Sequence, residues 1–108
     1  MKIKPKIVFK SWGFESIFYN SQYCAKTLTI NPLQKTSYHY HKTKHEVITV
    51  VSGSANIHID GKDNILTQNQ SVVLEPNTPH YIQNTSSKMP LLLAEASTKD
   101  NPKDSIRI

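Results

Sequence analysis

Short β-branched and aromatic runs, cut by turn residues, recur along the whole chain, and no long stretch keeps a helical period. That pattern predicts an all-β sandwich or barrel. Lys6 to Lys10 reads as a first strand, and Ser11-Trp12-Gly13-Phe14-Glu15 as a turn with an anchoring aromatic. Phe14 to Asn20 and Tyr23 to Ile30 read as a hairpin around Asn20-Ser21-Gln22, ended by Asn31-Pro32. Thr36 to His41, Glu46 to Val51 and Ala55 to Ile59 follow as strands. Asp60-Gly61 is a strong hairpin signal before Asn64 to Thr67. Ser71 to Leu74, His80 to Asn84 and Pro90 to Ala96 complete the sheet, with Pro76-Asn77-Thr78-Pro79 a rigid turn delivering His80 to a strand start. The tail, 99–108, is polar and is expected to drape over the barrel or swap into a partner.

Alternation then sets which side chains face inward. With His39 and His41 inward, Tyr38 and Tyr40 point out; with Glu46 inward, Ile48 and Val50 follow it. The result is a polar end above an apolar floor, as a ligand-holding barrel needs. Two imidazoles on one strand face, a carboxylate from the next strand and His80 further on can close around one point. Three nitrogen donors and one oxygen donor suit a divalent transition metal, without separating Zn, Mn, Fe, Ni or Co. His45 precedes Glu46 and is expected to face away from it. His58 lies between Ile57 and Ile59 and is expected on the solvent face. Trp12 reads as a core or dimer-interface anchor, and Glu75 as a solvated charge.

Length narrows the picture to one domain, 1–108, with a modest core. A small barrel that forms a homodimer fits 37% apolar residues. The formal net charge of +5 comes almost wholly from lysine, with Arg107 the sole arginine. Bidentate reading of nucleic acid favours arginine, so the charge points instead to a small anionic ligand. Cys24 is the only cysteine, which excludes an intrachain disulfide, and it reads as a small buried hydrophobe. The opening MKIKPKIVFK has no apolar run of signal-peptide length, and no window approaches a membrane span. A cytoplasmic protein with neither nucleic acid nor membrane as partner is expected.

The spacing His39-x-His41, four residues, Glu46, six residues, Gly53 resembles the first motif of the cupins. Glu75-Pro76-Asn77-Thr78-Pro79-His80 with Asn84 resembles the second. Lys10-Ser11-Trp12-Gly13-Phe14-Glu15, Val50 to Ala55 and Thr78-Pro79-His80 are similar to the small cupin domain of type II phosphomannose isomerases. Glu95 to Thr98 and Asp104 to Arg107 resemble stand-alone sugar-phosphate cupins. Leu33 and Asn69 stand where the two motifs open with glycine, Asn77 where the turn has glycine, and Glu75 where it has proline. The resemblance implies a double-stranded β-helix, or jelly roll, with metal ligands His39, His41, Glu46 and His80. It gives Gly53 a tight-turn role and Asn84 a structural one.

The function so implied is a sugar-phosphate isomerase that interconverts mannose 6-phosphate and fructose 6-phosphate through a metal-stabilised enediol. Such chemistry needs a base outside the metal ligands. Glu95, the carboxylate of an apolar late strand, is the candidate; Tyr38, Tyr40 and Tyr81 are candidate proton donors. Lys26, Lys42, Lys44 and Arg107 are candidates for holding phosphate, with Lys42 and Lys44 preferred because they flank the metal-ligand loop. Two other classes share the same ligands: a metal and small-anion binding or sensing module without chemistry, and an iron-dependent oxygenase.

Overall fold

Eleven strands and a single 3₁₀ turn make up the computed structural model, which describes residues 1–108. In chain order the strands are β1 (Lys6–Lys10), β2 (Gly13–Asn20), β3 (Cys24–Ile30), β4 (His39–His41), β5 (Glu46–Ser52) and β6 (Ala55–Ile59). They continue as β7 (Lys62–Leu66), β8 (Ser71–Leu74), β9 (His80–Asn84), β10 (Leu91–Ser97) and β11 (Ser105–Arg107). Two antiparallel sheets result, in the orders β1-β2-β3-β10-β5-β8 and β11-β4-β9-β6-β7. This is the all-β jelly roll that the runs and motifs predict.

Period-2 alternation builds the interior. β3 reads buried at Cys24, Lys26, Leu28 and Ile30, with half-exposed residues between. β9 does the same at His80, Ile82 and Asn84. Leu28, Ile30, Ile48, Val50, Ile57, Leu91 and Leu93 form one apolar cluster that Trp12 and Leu74 join. Each such side chain stabilises the fold by about 1.5–3 kcal/mol when fully buried. Trp12 is thus a core residue. Cys24 is buried too, and burial first, then the Glu95 charge, pushes its thiol pKa up.

Two polar details hold the apolar end shut. Asn84, fully buried, donates from Nδ2 to the carbonyls of Ile30 (2.9 Å) and Met89 (2.8 Å) and accepts from Ser86 N (2.9 Å). Gly13, at φ +152, lies against the backbone of β3: a Cβ there would sit 1.9 Å from the Thr29 carbonyl oxygen. Only glycine permits that approach.

The strand expected over Thr36 to His41 is shorter, spanning His39–His41. Thr36 explains the loss. Its N–H donates to the Ile82 carbonyl at 2.9 Å, and its Oγ1 accepts from Ile82 N at 3.0 Å. A side-chain hydroxyl has replaced a rung of the ladder. The tail folds onto its own chain: Asn101 caps the 3₁₀ turn Pro102–Asp104, and β11 pairs with β4. No helix is long and apolar enough to cross a membrane.

Candidate metal centre

Short β4 carries His39 and His41 on one face, and the Pro76–Pro79 turn delivers His80 directly opposite His39. The turn is fastened to β4 by Asn77 N donating to the His41 carbonyl at 2.6 Å. One ligand nitrogen from each of the three histidines lies within 4.8 Å of the others. Nδ1 of His39 donates to the Ser37 carbonyl (2.7 Å), and Nδ1 of His80 to the Thr78 carbonyl (2.9 Å). Those bonds put the ring proton on Nδ1 and leave Nε2 free to bind a cation. Burial lowers the pKa of all three imidazoles, to about 4 for His41 and His80, so they stay neutral near pH 7.

Glu46 enters from β5, in the opposite sheet. It stands just outside the tight cluster, with Oε2 3.5 Å from His41 Nε2. That oxygen and His41 Nδ1 are buried without a hydrogen-bond partner. Native interiors rarely leave such atoms orphaned. Burial and the nearby Glu95 charge push the Glu46 carboxyl above its usual range.

Two buried ammonium groups, Lys26 and Lys44, face four carboxylates: Glu15, Glu46, Glu95 and Asp100. Three imidazoles and a carboxylate are a donor set for a divalent transition metal, so the residues present fit one.

Above the histidines opens a cavity of about 1000 Å³. Small-ligand sites occupy roughly 300–1,000 Å³, so a monosaccharide phosphate has ample room. Glu95, Lys26, Lys44, Asp100, Tyr38 and Arg107 are among the lining residues. Glu95 Oε2 accepts from Lys44 Nζ (2.8 Å) and Ser97 Oγ (2.9 Å), whereas Oε1 faces Lys26 Nζ at 3.9 Å.

Several expectations need correcting. Lys42 is exposed and lies outside the cavity, and Lys44 is buried and ion-paired to Glu95 and Asp100, so Lys44 is not free to hold phosphate and Lys42 does not face the site. Tyr38 lies before the start of β4, where alternation does not apply, and it lines the cavity; Tyr40 and Tyr81 do not. His45 faces outward and Glu75 is exposed, both as expected, with His45 Nδ1 2.9 Å from the Glu75 carboxylate. His58 is only partly exposed, bonded to Asp63 at 2.7 Å and stacked on Tyr81.

Two residues of the site are absent from the sequence expectations. Asp104 accepts from Thr43 N (2.8 Å), Thr43 Oγ1 (3.1 Å) and Lys44 N (3.2 Å), and its Oδ2 lies 3.7 Å from His41 Nδ1. Asp100 bridges Lys26 (3.2 Å) and Lys44 (3.3 Å). Both come from the polar tail, which carries no periodic signal. The resemblance of Asp104 to Arg107 to stand-alone sugar-phosphate cupins marks the segment without giving Asp104 a role.

Comparison with known proteins bears on the family and the fold. The family described as "Mannose-6-phosphate isomerase C-terminal" matches residues 2–105. A mannose-1-phosphate guanylyltransferase of Salmonella montevideo is 36% identical over 85 residues, covering 76% of this chain and 18% of that protein. The chain thus spans about a fifth of such a relative. The capsular polysaccharide assembling protein CapF of Staphylococcus aureus superposes with a TM-score of 0.87 at 16% identity, over 99% of this chain and 33% of that one. An RmlC-like cupin of Shewanella frigidimarina gives 0.77 at 17% identity, over 92% and 87%. At such identities the two structures speak for the fold alone. Taken with the match over residues 2–105, they establish that the chain has the cupin fold and belongs to the mannose-6-phosphate isomerase C-terminal family.

Proposed function

We propose that this domain is a metal-dependent sugar-phosphate isomerase, interconverting mannose 6-phosphate and fructose 6-phosphate. The observation that carries the reading is the convergence of His39, His41 and His80, with Glu46 beside them, on the floor of an open polar cavity. A divalent ion held there would polarise the C1 and C2 oxygens of an open-chain sugar. The chain's own residues do the rest. The Ser37 and Thr78 carbonyls fix the tautomers of His39 and His80. Lys44 and Lys26 face Glu95, and Lys44 and Ser97 occupy its Oε2. Oε1 is then the atom that takes a proton from one sugar carbon and returns it to the neighbour.

The test is turnover of either sugar phosphate by purified, metal-replete protein. Glu95→Gln should lower kcat by about 10²-fold or more with metal content unchanged. No interconversion of either sugar would sink the proposal. One observation favours a second reading. Glu95 is tied into an ion-pair network, which is what a binding module without chemistry would show. Its signature is thermal stabilisation by a sugar phosphate with no product formed.

A further inference from the structure

We propose that Arg107, Lys6 and Lys10 form an anion subsite at the mouth of the cavity, where a phosphate group is held. The inference rests on the sugar-phosphate reading for the identity of its ligand, but it needs no turnover. It begins from how the charges are spent. All four carboxylates lining the cavity face Lys26 or Lys44 within ion-pair distance. Lys6, Lys10 and Arg107 line the same cavity, and none of them makes an ion pair.

Their placement follows from the ladders. Lys6, Val8 and Lys10 alternate along β1 and share its cavity face. Arg107 lies directly opposite His39 in the β11–β4 pair, so the guanidinium rises beside the histidine cluster. Unpaired cations around a recess attract an anion into it. Arginine adds a planar fork that meets two phosphate oxygens at once. The chain has one arginine, and it stands at this point. A phosphate here would leave the rest of a sugar directed toward the metal cluster and Glu95.

Inorganic phosphate, titrated calorimetrically into metal-loaded protein, is the probe. Arg107→Gln should weaken its binding about tenfold or more, the scale of one lost bond to a charged group. The double variant Lys6→Gln/Lys10→Gln, on a different strand, should do likewise, and Arg107→Lys should recover part of the loss. Metal content should be unchanged throughout. Wild-type phosphate affinity in either the Arg107→Gln or the double variant overturns the subsite. So does an equal loss in Lys42→Gln, which changes the same charge outside the cavity. Mannose 6-phosphate binding more tightly than inorganic phosphate would mark an ester as the occupant; equal affinity would mark free phosphate, the subsite standing in both cases. Phosphate binding intact without isomerisation would count against the isomerase alone.

Discussion

Three adjacent strands, β3, β10 and β5, change character halfway along. At one end their inward positions are Ile30 and Leu28, Leu91 and Leu93, Val50 and Ile48; at the other they are Lys26, Glu95 and Glu46. The ladder sets Leu91 opposite Ile30, Leu93 opposite Leu28 and Val50, and Glu95 opposite Lys26. Burial hardly separates the two ends: Lys26, Glu46 and Glu95 are 5–6% exposed, and Leu28 is 5% exposed. What differs is the sign of burial. Apolar atoms gain by leaving water, whereas each buried ion costs several kcal/mol that only its partners offset. One end is a core, and the other is held by mutual neutralisation, which leaves room for a cation.

The sharpest way to break this contrast is to damage each end in turn. Lys44→Met removes the ammonium that faces Glu95, Glu46 and Asp100. It should cost about 3–5 kcal/mol, the scale of a buried charge left uncompensated. Lys44→Met with Glu95→Leu should recover much of that. Leu93→Ala should cost about 2–5 kcal/mol by opening a cavity while metal stoichiometry stays intact. Urea unfolding of chelated protein gives all three values. A loss below about 1 kcal/mol for Lys44→Met would mean that the charged end is not desolvated, and the contrast would fail.

Acid should separate the ends more gently. Burial acts to raise the Asp100 carboxyl, but Lys26 and Lys44 outweigh it and hold the pKa below normal. Burial likewise opposes Asp104, and the donors of Thr43 and Lys44 prevail. A carboxylate with a depressed folded pKa contributes stability above its unfolded value, near 3.9, and loses it as pH falls through the folded value. In chelated protein His41 and His80 act with the same sign from about 6.5 downward. Val50, Leu91 and Leu93, at the apolar end, carry no titratable side chain. Amide protection factors should therefore fall in β11 and the Thr43–Lys44 loop below about pH 4, before they do at Leu91 and Leu93. Asp104→Asn should reproduce that loosening at neutral pH and weaken metal binding by about 10–100-fold, since its Oδ2 stands behind His41. Metal affinity unchanged in Asp104→Asn would leave the tail a mere cover.

The two ends were not equally legible in the sequence. Ile48, Val50, Leu91 and Leu93 obey a period of two, and so do His39 and His41, so strands and inward faces could be read directly. Glu46 and His80 came from motif order. Lys42 and Lys44 lie in a loop without periodicity, and spacing alone could not tell that one turns outward and the other is buried. Lys44 is buried only because Glu95 and Asp100, distant in sequence, supply its counter-charges. Asp100 and Asp104 were invisible for the same reason: their partners are set by the docking of the tail, a tertiary event. Apolar packing is announced locally, whereas a charge network is announced only by its assembled partners.

The smallest test concerns the apolar end alone. Leu33 takes φ 60, and Asn69 and Asn77 take φ 69 and 63, at the three positions where the cupin motifs have glycine. Asparagine tolerates this conformation; leucine is strained there by about 1–2 kcal/mol. Leu33 is 55% exposed, so its removal forfeits little packing. Glycine returns part of the gain as unfolded-chain entropy, roughly 0.5–1 kcal/mol. Leu33→Gly should thus stabilise by up to about 1 kcal/mol. The loop is bonded to Asn84 and Ser86, at the end of β9 away from His80. The rise in Tm should therefore be the same with metal bound or chelated. A rise that appears only in the metal-loaded protein would show that the two ends are energetically coupled, and that the division along β3, β10 and β5 is one of composition, not of independent stability.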